Sequence, residues 1–545
     1  MEVPSRLLDF NNKIHKAAEI GLIYLSKYMD WMRVPEPNIS FLTKIQSNKG
    51  LIRRLLLENI NKNKTIEDAD RICSGELRVF SIEPKMFKNE INWHKDYYTD
   101  HEWPIKPFNR IYDPNDSGID LNVPFNLSRL QFIPTLIQAF EITSDSKYII
   151  RLTELIDSWI DKNPYCFGVN WWSSTEVGLR AVNLVLAVAF LSKNMSNQKL
   201  RSYLRILWKH ALYIYKYDVT LDRVQNKNNH YLASMLGLLA VSFSFKGNQT
   251  KKFQACALNA LKREIPRQFM EDGGNFESAT GYHQLSLEVV LVGLLLLRVH
   301  YNNDVSNDFI NTFFKKGIQE RLVNALNFVW DYMSCYGESP HIGDSSDCRV
   351  IVFKDYFDRE ASDHNFLVKL GELAINYKTP SNTNNMVKIY PKSGYACFKN
   401  HLYSIIAFSG PKGTNGTGGH GHNDKCSFVM TVSGYPIFID CGTYIYNPKI
   451  RERYELKSGK SHNTVMIDGE EQCEITPNRV FGLQSEIISR IGMAEEGNVV
   501  RFEMQHDGYR RVKEIGLVSR EIICEERSLE INDTVHGSGT HNISI

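Results

Sequence analysis

The feature that most limits how this chain can fold is a change of period near residue 380. From about 127 to 338 apolar residues recur every three or four positions. The pattern runs through "LSRLQFIPTLIQAFEI", "KYIIRLTELIDSWIDK", "STEVGLRAVNLVLAVAFLSK", "QKLRSYLRILWKHALYIYKY", "HYLASMLGLLAVSFSF", "KFQACALNALKREIPRQFM", "LSLEVVLVGLLLLRVH" and "ERLVNALNFVWDYM". That spacing predicts helices joined by short loops, which pack as antiparallel hairpins. Several are apolar nearly all round, so an inner ring covered by an outer one is expected: an incomplete α/α toroid over 127–380. After the polar connector "TPSNTNN", the segments "YSIIAFSG", "SFVMTVSGYPIFID", "NTVMIDGEE", "NVVRFEMQ" and "EIICEERSLEIND" alternate with period two between Gly and Asp-Gly turns. Residues 381–545 are therefore expected to form an antiparallel β-sandwich, and residues 1–126 an irregular and helical arm packed on the toroid. In that arm Trp93, His94, Trp103 and Phe108 either stack on sugar rings or anchor the arm to the core.

With 545 residues, 43% of them hydrophobic, the chain can bury cores for two or more domains. Its net charge is only +2 and its Lys and Arg residues are spread out, which argues against nucleic acid as a partner. An anionic ligand would have to be met by local groups. Ten cysteines without a CxxC pair fit reduced thiols better than a disulfide framework. The apolar run "LEVVLVGLLLL" (287–297) contains Glu288 and falls short of the roughly 20 residues of a membrane span, so a buried helix is expected. The N-terminal "MEVPSRLLDFNNKIHKAAEIGL" lacks a basic segment followed by an apolar core. The expectation is a cytoplasmic protein as written, or a secreted or periplasmic one where a leader has been removed.

Four polar clusters interrupt the apolar pattern. "NWWSSTEVGLRAVN" (170–183) puts Glu176, Arg180 and Asn183 at i, i+4 and i+7, a face that either borders a cleft and binds substrate or carries an exposed salt bridge. "NKNNHYL" (226–232) sets Asn228, Asn229 and His230 before an apolar helix, more polar groups than one N-cap needs. "DGGNFESATGYHQLSLE" (272–288) leads from a Gly-rich loop to Tyr282 and His283. "GGHGHNDKCSF" (418–428) holds His420 and His422 beside a strand, either a base next to a metal ligand or two ordinary loop residues.

Together the clusters supply amide, imidazole and phenol groups, and no obvious nucleophilic Ser or Cys. Cleaving a uronic-acid polysaccharide by β-elimination calls for such groups. The C6 carboxylate must be neutralised to acidify the C5 proton, a base must remove that proton, and an acid must protonate the departing C4 oxygen. A toroidal glycoside hydrolase would instead need two carboxylates across the scissile bond. Glu176, Glu277 and Asp344 could be drafted, but no pair stands out. A non-catalytic glycan-binding or assembly protein is a third reading, against which the proton-transfer groups argue.

The motifs "NNHYL", "ESATGYH", "GHGHNDKCSF", "IDCGTY" and "SHNTVMIDG", in this order, resemble those of the heparinase II/III-like polysaccharide lyases. "INWH", "DLNVPFNLSR", "SPHIGDSSD" and "HDGY" extend the resemblance over most of the chain. It implies an α/α toroid followed by an antiparallel β-sandwich, and a lyase acting on an acidic polysaccharide, glycosaminoglycans being the first expectation. By the same resemblance Asn229 and His230 neutralise the uronate carboxylate. Tyr282 is the acid and, for a syn elimination, also the base. His420 is the base for the opposite stereochemistry or assists neutralisation, and Tyr454 is a further substrate contact. His422, Asp440 and His462 would bind a divalent metal, zinc in related lyases, with a mainly structural role in aiming His420. In "DLNVPFNLSR", Asn122, Phe125 and Asn126 stand where the family often has Lys, Trp and Glu, which implies a changed subsite.

Overall fold

The computed structural model describes residues 34–545 except 48–49, 59, 81, 88–89, 112–118, 223–226, 302–312, 315–316, 382–383, 444–449 and 476–480. The N-terminal stretch on which the leader reading rests lies outside the described residues. Among the described residues the arm contains three short helices, α1 (Ile39–Gln46), α2 (Leu51–Leu57) and α3 (Lys62–Cys73), and a hairpin of β1 (Glu76–Val79) and β2 (Ile82–Met86). Trp93, His94, Trp103 and Phe108 are buried. The Trp93 indole donates to Ser158 Oγ at 3.1 Å and His94 Nε2 meets the Lys162 carbonyl at 2.9 Å, so they anchor the arm.

Next come α4 (Asn122–Ser128), α5 (Ile133–Thr143), α6 (Ser146–Lys162), α7 (Ser174–Leu191), α8 (Asn197–Ile214), α9 (Asn229–Phe243), α10 (Asn248–Gln268), α11 (Thr280–Tyr301), α12 (Ile318–Tyr336) and α13 (Phe366–Ile375). Burial sorts them into two layers. In α6 only a stripe is buried, Tyr148, Leu152, Leu155, Ile156 and Trp159, as an outer helix with one face inward requires. In α7 every residue from Thr175 to Leu191 is buried. Helix α9 is buried throughout except at His230, and α11 is buried from Thr280 to Val299 except at Tyr282. These three are inner helices of an incomplete toroid. Helices α7 and α9 cross at two glycines: a Cβ on Gly237 would lie 2.4 Å from Gly178 Cα, so neither position has room for a side chain.

The 22 residues of α11 and the 18 of α7 are each long and apolar enough to span a membrane, which corrects the expectation that the run at 287–297 falls short. What makes them core helices is their surroundings, since 94% of the most apolar 18-residue stretch of each is buried inside the protein.

The C-terminal domain stacks two antiparallel sheets. One has the order β3 (Met386–Tyr390), β4 (Tyr395–Lys399), β5 (Tyr403–Phe408), β6 (Ser427–Val432), β7 (Tyr435–Phe438). The other has the order β12 (Leu529–Gly537), β11 (Ile515–Cys524), β10 (Val499–His506), β9 (Ser489–Glu496). Between them Phe398, Ile405, Ala407 and Phe428 pack against Ile491, Phe502, Met504 and Ile522. The other face of the first sheet, through Tyr395, Cys397, Ile406 and Phe408, joins the core of the helices. A sheet covered on both faces needs no polar alternation, and β5 is accordingly buried at all six positions. Two short strands, β8 (Met466–Ile467) and β13 (Ile543–Ser544), form a separate antiparallel pair, and helix α14 (Ile450–Lys457) lies between β7 and β8 in the chain.

Candidate active site

A cleft of about 440 Å³ opens where the N-terminal ends of the inner helices meet loops of the β-domain. Its lining includes Asn229, His230, Tyr282, His420 and Glu176 from among the expected site residues. Ser173, Thr175 and Glu176 open α7, Asn228 to His230 open α9, and Tyr282 lies in the first turn of α11. Helix N-termini carry partial positive charge on unpaired N–H groups, so three of them turned to one cleft favour an anionic ligand despite the chain's near-neutral balance. His230 and Tyr282 are the residues that interrupt the burial of α9 and α11, and both do so at this cleft.

Local chemistry sets each side chain. The Asn228 side chain caps α9 by accepting from His230 N at 3.1 Å, one of the uses the sequence allowed for that run. The next residue, Asn229, is buried and its Nδ2 lies 2.9 Å from both carboxylate oxygens of Glu277. The cleft walls, and His420 nearby, lower the pKa of His230. Cleft water reaches this exposed ring, so the depression is smaller than in a dry site, but its direction leaves the imidazole neutral at neutral pH. Tyr282 and His420 stack face to face, ring centroids 3.5 Å apart and planes 16° from parallel.

Asp344 organises the two histidines of the β-domain. It is fully buried and accepts from His420 Nδ1 at 2.9 Å, His422 Nε2 at 3.0 Å, Thr443 Oγ1 at 3.1 Å and Arg453 Nη2 at 2.7 Å. Burial pushes its pKa up, but the Arg453 charge and the imidazole hydrogen bonds outweigh that and hold it well below the carboxylate range. A carboxylate can only accept, so both histidines present N–H to it. That leaves Nε2 of His420 facing Glu277, 3.4 Å from Oε2, and Nδ1 of His422 facing away. Gly343 makes the approach possible: its φ is +68°, and a Cβ there would lie 2.8 Å from the His420 carbonyl.

His422 Nδ1 and His462 Nε2 are buried without a hydrogen-bond partner among the described residues. With Asp440, which accepts from His462 Nδ1 at 2.9 Å, these residues offer ligand atoms within 4.8 Å of one another. Two orphaned imidazole nitrogens beside a carboxylate fit a divalent ion of the zinc type.

Three expected contacts are corrected. Arg180 is fully buried behind the cleft, donating to the carbonyls of Ser128 and Asn170 and to His210, with its guanidinium carbon 4.4 Å from the Trp159 ring centre. Asn183 is equally buried, bonding to the carbonyls of Leu179 and Val350. Both follow Glu176 down one face of α7, but that face runs into the core. Tyr454 is half-buried, is not among the residues lining the cleft, and has its hydroxyl buried without a partner among the described residues. Its neighbour Arg453 is the residue of α14 that reaches the site, through Asp344.

The sequence reading missed Arg129, which lines the cleft and pairs with Glu176 through two hydrogen bonds of 2.6 and 2.9 Å. It also missed the aromatic wall of Phe125 and Trp172, stacked with centroids 6.4 Å apart, although "DLNVPFNLSR" had flagged that segment as divergent. The carboxylates available to a hydrolase do not face each other across the cleft: Glu176 is tied to Arg129, while Glu277 and Asp344 flank His420.

Comparison with known proteins bears on the whole chain. The family description "Heparinase II/III N-terminus" matches residues 39–363, and "Heparinase II/III-like, C-terminal" matches residues 382–545. A heparin-sulfate lyase of Bacteroides stercoris is 20% identical over 489 residues, covering 84% of this chain and 66% of that protein. One of Bacteroides thetaiotaomicron is 22% identical over 456 residues, covering 77% and 61%. The chain thus spans less than two thirds of the length of either relative. Among solved structures, heparinase III superposes with a TM-score of 0.60 at 17% identity, covering 97% of this chain and 77% of that one. The heparan sulfate lyase HepC of Pedobacter heparinus gives 0.53 at 17% identity, covering 98% and 77%. Helical toroid, β-sandwich and both family matches agree: the chain belongs to the heparinase II/III family.

Proposed function

We propose that this protein is a polysaccharide lyase that cleaves a uronate-containing polymer of the glycosaminoglycan class by β-elimination. The observation that carries the reading is the stacked pair of Tyr282 and His420 in a cleft that also presents Asn229, His230 and three helix N-termini. Asn229 and the helix N-termini meet the C6 carboxylate and hold the charge that builds on it as C5 loses its proton. The C5–H electron pair then forms the C4–C5 double bond, and the C4–O bond breaks toward the leaving oxygen. Tyr282 and His420 share one wall, which supports a syn course. In it Tyr282 acts from its tyrosinate form, taking the C5 proton to become the phenol and then giving that proton to the leaving oxygen, with His420 steadying the charge. The relatives' names, heparin-sulfate lyase, support a glycosaminoglycan as the first substrate to test.

In this reading His422, Asp440 and His462 hold a divalent cation, zinc by the character of the donors. When bound it supplies structural cross-linking between the loop before β6, the end of β7 and the approach to β8. The chain's own Asp344 then joins that corner to His420.

The test is incubation of the purified protein with heparan sulfate, chondroitin, hyaluronan and alginate. Ultraviolet absorbance from a C4–C5 double bond supports elimination. New reducing ends without that absorbance support hydrolysis, and binding without either supports the non-catalytic reading.

A further inference from the structure

Glu277 takes no part in the proton transfers above, yet it is a fully buried carboxylate in contact with two cleft residues. Both of its oxygens lie 2.9 Å from Asn229 Nδ2, Oε1 accepts from the Asn229 backbone N–H at 3.1 Å, and Oε2 faces His420 Nε2 at 3.4 Å. Its own place is fixed, because the Glu277 N–H donates to Asn275 Oδ1 at 2.9 Å.

We propose that Glu277 is the positioning residue of this site, whose carboxyl oxygens turn the Asn229 amide nitrogen inward. The two orientations of an asparagine amide differ little in shape, and only its partners choose between them. With Oδ1 toward Glu277, a carbonyl oxygen would confront two carboxylate oxygens. With Nδ2 toward Glu277, one N–H is satisfied, and the second N–H remains for a ligand. The same carboxylate also satisfies a backbone N–H in the first turn of α9, which fixes the stem of Asn229 as well as its head. The kinetic consequence rests on the lyase reading; the geometric one does not.

Glu277→Gln tests this with almost no change in volume, because glutamine both donates and accepts and so accommodates either orientation of Asn229. On the polymer that the wild type cleaves fastest, kcat should fall roughly 10- to 100-fold, the scale of a small misplacement of a reacting group, with KM within about threefold. In an Asn229→Ala background the same change should cost less than about threefold, because the residue it acts through is gone. Wild-type kcat in Glu277→Gln, or an equal loss with and without Asn229, overturns the proposal. An arm independent of turnover uses protein labelled with ¹⁵N in asparagine side chains, the Asn229 NH₂ signal being identified by its loss in Asn229→Ala. That signal should shift in Glu277→Gln. An unmoved signal overturns the proposal even if no polymer is cleaved. A moved signal with no unsaturated product from the wild type supports it and sinks the lyase reading instead.

Discussion

Replacing Asp344 with Asn removes one charge and little volume from the point where the cleft, the cluster of His422, Asp440 and His462, and α14 meet. The carboxylate accepts hydrogen bonds from His420, His422, Thr443 and Arg453. In the variant one oxygen becomes an NH₂ group. If it replaces Oδ2 it confronts His420 and Arg453, and if it replaces Oδ1 it confronts Thr443 and His422. Arg453, 1% exposed in its side chain, loses its buried counter-charge in either case. Removing one partner of a buried pair typically costs about 3–5 kcal/mol, and a misdirected N–H adds to that cost. Asp344→Asn should therefore shift the urea midpoint sharply downward, read by tryptophan fluorescence. Catalysis should suffer independently, since His420 loses the carboxylate charge beside it in either orientation, and the acceptor that fixes its tautomer when the NH₂ replaces Oδ2. A fall in kcat of roughly 10²- to 10⁴-fold is expected at temperatures where the variant is still folded. A variant with an unchanged midpoint and turnover within about threefold of wild type would show that Asp344 does not organise the site.

His422→Ala should lose bound metal in elemental analysis and melt at a lower temperature, while His420→Ala should keep the metal and lose rate; the reverse pattern would mean the two roles are exchanged. Glu288, fully buried in α11, has its pKa pushed up to about 7 by burial, against the pull of Arg349 and the N–H groups of Ile351 and Val350. Because the folded value lies above the unfolded one, its contribution is complete below about pH 4.5 and lost as pH rises through 7. Glu288→Gln should thus gain about 3 kcal/mol relative to wild type between pH 4.5 and 8, and parallel stability curves would refute this. Gly178→Ala places a Cβ 2.4 Å from the Ala233 carbonyl, so a loss of at least about 1–3 kcal/mol is expected from thermal melts, and an unchanged melt would show that the α7–α9 crossing can yield.

What the sequence made legible follows from what periodicity measures. Three- and four-residue spacing, then period two, report which faces are apolar, and both domains follow from that. The same logic placed Glu176, Arg180 and Asn183 on one face, correctly, but spacing does not say what a face meets. Helix α7 is buried on all sides, so it reaches the cleft only near its N-terminal end, through Thr175, Glu176 and Leu179. Asn229, His230, Tyr282 and His420 were legible because polar groups at the mouths of apolar helices and in a Gly-rich loop need a reason to be there. Glu277 and Asp344 were visible only as spare carboxylates. Their partners lie 48 and 76 residues away in the chain, at Asn229 and His420, so no local pattern announces their roles. The pairing of Arg129 with Glu176 across 47 residues was hidden for the same reason.

The central claim is that Tyr282 transfers a proton in an elimination. Its most direct test is the ultraviolet absorbance of products formed from the best uronate polymer by wild type and by Tyr282→Phe. The account predicts C4–C5 unsaturation from the wild type and a rate at least about 10²-fold lower in the variant, with the fold and polymer binding retained. Unsaturated product released at a near-normal rate by Tyr282→Phe would contradict it.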